Sequence, residues 1–264
     1  MRMGKQMSPW LMALVACAVL GALQDDAQAD TIAVFENPWY TSGSVNNVKA
    51  TLVNLGHTVV PFATGYGFEF EYAASVADIW VFPEFKDMLG HHVTWGQAKY
   101  VRDWIMDGGK LINIGSGPAD ADWTWKAQNI DITLSHDPSG PSKLNDFHAH
   151  PTAFEDGPEY LPDLPRTGAL DMDTLPYYAR GVYQTGDREG ATVALFPRGE
   201  GSVIYIGWGW NFMPSAGNPW VGVLGSAISQ THPVPPLPEP GVLVLCGVAA
   251  LGIAWKRRRN KRSA

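Results

Sequence analysis

The 264-residue sequence predicts an α/β body: a mainly parallel sheet with helices on both faces and an antiparallel extension. Three observations predict it. Between Asp30 and Ile114, short apolar runs rich in β-branched and aromatic residues alternate with segments of helical periodicity. Those runs are apolar throughout, as strands covered on both faces are. Beyond a Pro- and Gly-rich stretch, three more such runs return with turn signals between them, the pattern of antiparallel neighbours.

Thr31-Ile32-Ala33-Val34-Phe35 is the first strand, and Glu36-Asn37-Pro38 turns the chain after it. Ser44 is placed to cap a helix in which Val45, Val48, Leu52 and Leu55 share a face, and Gly56 ends it. His57–Phe62 is the second strand and Asp78–Phe82 the third, with a short helix over Phe68–Val76 between them. Thr94 opens the next helix, whose inner face carries Ala98, Val101, Trp104 and Ile105 up to Gly108-Gly109. Lys110–Ile114 is the fourth strand. Residues 117–178 are too long and too rich in Pro, Gly, Asp and His for a plain connection and form an irregular insertion. Gly181–Gln184, Thr192–Phe196 and Val203–Trp208 supply the extension, and a helix over Pro219–Gln230 closes a single domain spanning 30–230.

The overall charge of −7 conceals an uneven distribution. Residues 30–240 hold 11 basic and 24 acidic side chains, a net of −13. So acidic a body argues against nucleic-acid binding, which needs basic surface to displace counterions from phosphate. Nine of the 11 Trp fall in that body, which with 45% apolar residues excludes a disordered polar chain. Both Cys, Cys17 and Cys246, lie outside it. Thiolate catalysis and Cys-ligated zinc are therefore excluded for the body, which must fold without a disulfide.

The two ends read as addresses. Arg2 and Lys5, the apolar Trp10–Leu23 and the small residues Ala27 and Ala29 form an export signal over 1–29, to be cleaved before Asp30. An uncleaved anchor and a lipoprotein signal using Cys17 are the alternatives. At the other end a Pro-rich linker, 231–240, contains Pro238-Glu239-Pro240. It leads into the uncharged Gly241–Trp255 and then a basic tail, 256–264, bearing Lys256, Arg257, Arg258, Arg259, Lys261 and Arg262. As a helix the apolar run spans roughly 22 Å. That is short for a bilayer core of roughly 30 Å, but it can lodge as a transmembrane helix where flanking residues snorkel. The basic cluster keeps the tail cytoplasmic and the body outside.

Pro-Glu-Pro, a short apolar helix and an Arg-rich terminus, in that order, resemble the sorting signal of PEP-CTERM proteins. The resemblance implies export, transient anchoring in the inner membrane, and processing by an exosortase-type transpeptidase in bacteria that make exopolysaccharide. The partners expected on this basis are the export machinery, the exosortase and, for the body, exopolysaccharide at the cell surface or in the extracellular matrix. A C-terminal anchor that is never cut is the alternative.

The order of elements in the body resembles the class I glutamine amidotransferase-like superfamily, which has a flavodoxin-like fold. The opening Ile32–Phe35 strand, the Asp78–Phe82 strand, Trp104-Ile105-Met106-Asp107-Gly108-Gly109-Lys110 with the Leu111–Ile114 strand, and the late Gly201–Gly207 strand carry it. Active members hold a nucleophilic Cys on the turn after the strand matching Leu111–Ile114. Here that turn is Gly115-Ser116-Gly117-Pro118, so the family nucleophile is absent.

Three groups of residues could carry chemistry. Ser116 sits where a strand-to-turn elbow presents side chains at the carboxyl edge of an α/β sheet, though its glycines are immediate neighbours rather than two residues away. It would need a base such as His148 or His150. The bland alternative is a glycine-rich turn whose Ser satisfies local backbone. His136, with the His-x-His pair His148 and His150, could ligate a transition metal, since an extended segment points both rings one way. Asp120, Asp122, Asp171 and Asp173 could ligate calcium or act as paired carboxylates, but in an acidic body they also read as solvated surface. Finally, Trp39, Trp123, Trp125 and Trp210 could stack on sugar rings, whereas Trp80 and Trp104 read as core. No cofactor is implied. Taken together, the residues read as a noncatalytic, glycan-binding envelope protein, with an extracellular hydrolase of polysaccharide or amide substrates as the alternative.

Overall fold

The computed structural model describes residues 29–63, 68–86, 92–117, 128, 132, 134–135, 140–215 and 217–231. The export signal up to residue 28, the Pro238-Glu239-Pro240 motif, the apolar span and basic tail, and Asp120, Asp122, Trp123, Trp125 and His136 all lie outside the described residues. Among the described residues no helix is long and apolar enough to cross a membrane.

The first half of the body is a run of strand–helix units: β1 (Thr31–Phe35), α1 (Ser44–Asn54), β2 (Thr58–Phe62), α2 (Phe70–Val76), β3 (Ile79–Phe82), α3 (Trp95–Met106) and β4 (Lys110–Ile114). Then come β5 (Leu134–Ser135), β6 (Ser142–Leu144), the one-turn α4 (Asp146–Ala149), β7 (Tyr160–Leu161), β8 (Ala169–Asp171) and a 3₁₀ turn over Met172–Thr174. β9 (Arg180–Gln184), β10 (Gly190–Arg198), β11 (Gly201–Ile206) and α5 (Pro219–Ser229) complete it. The insertion is thus more regular than its composition suggests, and its short strands finish the antiparallel half of the sheet.

The sheet runs β2-β1-β3-β4-β11-β10-β9-β6-β7, with β8 paired to both β10 and β5. Pairing is parallel from β2 through β11 and antiparallel from there on. β1, β3, β4 and β11 are buried along nearly their whole length, as their continuous apolar runs require. β2 is partly exposed and among the described residues pairs only with β1, so the edge tolerates Pro61, which has no N–H to give.

Alternation along each strand splits the core into two layers. On one face Ile32, Val34, Val81, Ile112 and Ile204 meet Val48 and Leu52 of α1 and Val223 and Leu224 of α5. On the other, Phe35, Trp80, Phe82, Leu111 and Tyr205 meet Phe70 of α2 and Val101 and Ile105 of α3. Each such fully buried apolar side chain is worth roughly 1.5–3 kcal/mol. Trp80 is fully buried. Trp104 is half-buried and stacks on it with ring centroids 3.8 Å apart, so both belong to the core.

The helix ends follow local chemistry. Gly56, at φ +93°, closes α1, and Thr94 with Gln97 forms a capping box on α3. Asn218 caps α5 by accepting from the Trp220 N–H, with Pro219 as its first residue. The expected cap at Ser44 is a correction: Gly43 holds the cap position without any side-chain bond. Ser44 is instead the first residue of α1, its hydroxyl 2.7 Å from that of Ser42. Ser42 has intercepted the group that would have capped the helix.

Candidate functional site

The strand order reverses at β1, whose two neighbours are β2 and β3. Loops leaving the carboxyl ends of β1 and β3 therefore diverge, and in open α/β sheets this is where a crevice forms. Here the two loops are clipped together. Ser42 N–H donates to Glu84 O at 2.9 Å, Lys86 N–H to Tyr40 O at 2.8 Å, and Lys86 Nζ to Pro38 O at 2.5 Å. Buried Asn37 shapes the β1 loop: its Oδ1 accepts from Trp39 N–H and its Nδ2 donates to Ala63 O, both at 3.0 Å.

Glu84, two residues past β3, is the centre of this edge and is only 5% exposed. Its Oε2 accepts from Ser42 Oγ at 3.2 Å and from Arg166 Nη1 at 3.4 Å, and its Oε1 accepts from Ser116 Oγ at 3.4 Å. The same Arg166 Nη1 also donates to Asn211 Oδ1 at 3.2 Å. Four loops, those after β1, β3, β4 and β11, and the insertion through Arg166 thus meet on one carboxylate.

Two glycines make the approach possible. A Cβ on Gly209 would lie 2.7 Å from Glu84 Oε1, and one on Gly168 would lie 2.5 Å from Ser116 O. Arg166 adopts a left-handed backbone (φ +62°), which costs a non-glycine residue roughly 1 kcal/mol or more. Beside Ser42, a cavity of about 390 Å³ opens between Glu36, Pro38, Gly43 and Val45. Trp39 stands on the same loop with 61% of its surface exposed.

Of the residues anticipated from the sequence, Ser116 does stand at this edge, but its hydroxyl meets a carboxylate rather than an imidazole. Trp39 is exposed there too. Trp210 is a correction: it is fully buried, donating its indole N–H to Thr51 Oγ1 at 3.2 Å and packing 4.5 Å from the Trp208 ring. A left-handed backbone at Trp210 (φ +50°) turns the chain after β11, and its ring joins the core layer of α1 and α5.

The extended segment expected for the His-x-His pair is instead a helical turn. Asp146–Ala149 is a helical turn capped by Asn145, so His148 and His150 do not share the face of an extended segment. His150 Nδ1 pairs with Glu155 Oε1 at 2.7 Å on the surface. His148 is half-buried, and desolvation, followed by the charge of Arg180, holds its pKa below the usual histidine value against an opposing backbone contact at Gly181. The Ser116 hydroxyl pairs with Glu84 instead. Among the described residues no group of three or more His, Cys, Asp or Glu side chains is placed to hold a metal ion. Asp171 and Asp173 belong to one tight turn, where Asp171 Oδ1 accepts the Asp173 N–H at 2.9 Å.

Sequence reasoning missed Glu84 and Arg166. The signal for Glu84 was available: a carboxylate in Pro83-Glu84-Phe85, directly after an apolar strand next to the first. Arg166 carried no such signal, because its contact spans 82 positions in the chain.

A scan against protein-family models and a search of curated proteins each find no match to this chain.

Proposed function

We propose that this chain is an exported envelope or matrix protein that binds glycan at the carboxyl edge around Glu84 and does not catalyse. The fold within this reading is flavodoxin-like, of the amidotransferase-like kind, with Ser116 where the catalytic Cys of that superfamily stands. The order β2-β1-β3-β4-β11 supports it, as does the late strand running parallel beside β4.

The observation that carries the noncatalytic part is the Ser116–Glu84 bond. A serine nucleophile needs a base that can take its proton and an acid to orient that base. The partner Ser116 has here is a carboxylate already shared with Arg166 and Ser42, rather than an imidazole held by an acid. The arrangement is a satisfied polar network, bordered by a cavity and an exposed indole, which suits a ligand with ring faces and hydroxyls.

The routing signals complete the reading. β1 begins, and α5 ends, at the amino edge of the sheet, where Lys110 Nζ donates to Ile228 O. A cavity of about 570 Å³ there is lined by Asp30, Lys110 and Thr231. The described chain ends at Thr231, at the edge opposite Glu84, and that position is compatible with a tail anchor on the far side from the glycan site.

A direct contact between a hydroxyl and a carboxylate is also the observation that favours the second reading, a hydrolase using Ser116. Reducing-end or amide release from polysaccharide or peptide substrates decides between them. The wild-type protein is expected to release nothing above buffer, and turnover that disappears in Ser116→Ala would overturn the noncatalytic reading. Retention of the exported protein on immobilised exopolysaccharide is expected, and its absence would sink the binding reading. Intact-mass analysis of the exported protein is expected to show loss of residues 1–29 and of the segment beyond the Pro-Glu-Pro motif.

A further inference from the structure

Resting on the glycan-binding reading, we infer that the carboxyl-edge site is selective for acidic sugars, with Arg166 receiving the carboxylate of a uronic acid residue. The inference comes from how hydrogen-bonding capacity is distributed around Glu84. Ser116 directs its hydroxyl hydrogen at Glu84 Oε1, so what the half-buried hydroxyl presents elsewhere is lone-pair density. A ligand meeting it must bring a donor, such as a sugar hydroxyl.

Arg166 has the opposite character. Only Nη1 is engaged in the contacts to Glu84 and Asn211, at 3.4 and 3.2 Å, and the side chain is 63% exposed. Among the described residues the rest of the guanidinium fork has no hydrogen-bond partner, and it can donate only, with the planar geometry that pairs two N–H groups with one carboxylate. Glu84 and Asn211 hold this cation at the carboxyl edge. Glu36, the carboxylate that lines the neighbouring cavity, is already paired with Lys49 at 2.8 Å. A ligand with hydroxyl donors beside a carboxylate matches both halves, and a uronic acid carries both on one ring.

The net charge of −13 on residues 30–240 does not prevent this. At physiological ionic strength charges separated by more than about 8 Å are largely screened, and Glu84, the carboxylate in contact with Arg166, engages Nη1 alone. Charge-assisted hydrogen bonds contribute roughly 1.5–3 kcal/mol, which corresponds to about ten- to hundredfold in affinity.

The test is binding of the full exported protein to polygalacturonate and to a neutral dextran, measured by calorimetry in 0.15 M salt. Polygalacturonate is expected to bind at least about tenfold more tightly. Arg166→Gln is expected to erase that preference, Arg166→Lys to keep part of it, and Arg102→Gln, on the solvent side of α3, to leave it intact. Thermal melts of each variant separate loss of binding from loss of fold. Equal binding of both polymers, or a preference that survives in folded Arg166→Gln, would overturn acid selectivity while leaving glycan binding standing. Binding of neither polymer would overturn both.

Discussion

Ser116 Oγ donates to Glu84 Oε1 at 3.4 Å across 32 positions of chain, joining the turn after β4 to the loop after β3. The same carboxylate collects Ser42 and Arg166, so three donors depend on one nearly buried acceptor. Removing the acceptor takes a partner from each of the three. Glu84→Ala is expected to lower unfolding free energy by about 1–3 kcal/mol. In a cycle with Ser116→Ala, the pair is expected to couple by about 0.5–1.5 kcal/mol in urea denaturation. Strict additivity would mean that the hydroxyl and the carboxylate do not interact.

Gly209 is required by contact rather than by backbone angle. A methyl group there would press on Glu84 Oε1, so Gly209→Ala is expected to cost about 1–3 kcal/mol and to weaken polysaccharide retention. Gly186 has open space around its Cβ position, and Gly186→Ala is expected to stay within about 0.5 kcal/mol of wild type. Equal denaturation midpoints for the two variants would refute the crowding argument.

The two edge tryptophans are expected to separate binding from folding. Trp39→Ala removes an exposed ring, so the melting temperature is expected to hold while glycan retention falls. Trp210→Phe deletes the N–H bonded to Thr51 and part of a buried ring, and is expected to lose about 1–3 kcal/mol. A Trp39 variant that melts early but binds normally would reverse these assignments.

Lys110 supplies a pH test. Burial pushes its ammonium down to about 8 from 10.5, with the Asp30 charge opposing the shift. Below pH 8 both folded and unfolded chains carry the proton, and the folded state bears the cost of a buried charge. Between about 8 and 10.5 the folded chain sheds the proton first, so this residue's contribution to stability rises with pH. Relative to Lys110→Met, the wild type is expected to gain on the order of 3 kcal/mol across that window in chemical denaturation. Parallel curves for the two proteins would show that Lys110 titrates normally.

Much of the fold was legible because strands buried on both faces and amphipathic helices leave periodic traces. Lys110–Ile114 matches its expected bounds, and Thr94 caps α3 through Gln97 as the sequence suggests. The errors lie where a distant group outbid a local preference. Ser44 looks like a cap until Ser42, held by Glu84, takes its hydroxyl. Trp210 looks like an edge aromatic until the backbone turns it into the layer beneath α1. His148 and His150 look like a pair until Asn145 starts a helical turn under them.

What the sequence by itself determined is the alternation of elements and the acidic body without Cys, since each is written in neighbouring residues. What only the tertiary structure decided is the centre of the carboxyl edge. Glu84, Ser116, Arg166 and Asn211 are separated by tens of positions, and their meeting depends on strand order and on two glycines small enough to let the loops close. Local periodicity encodes which face of an element is buried. Which polar groups then share one acceptor follows from how the faces stack, and that relation has no trace along the chain.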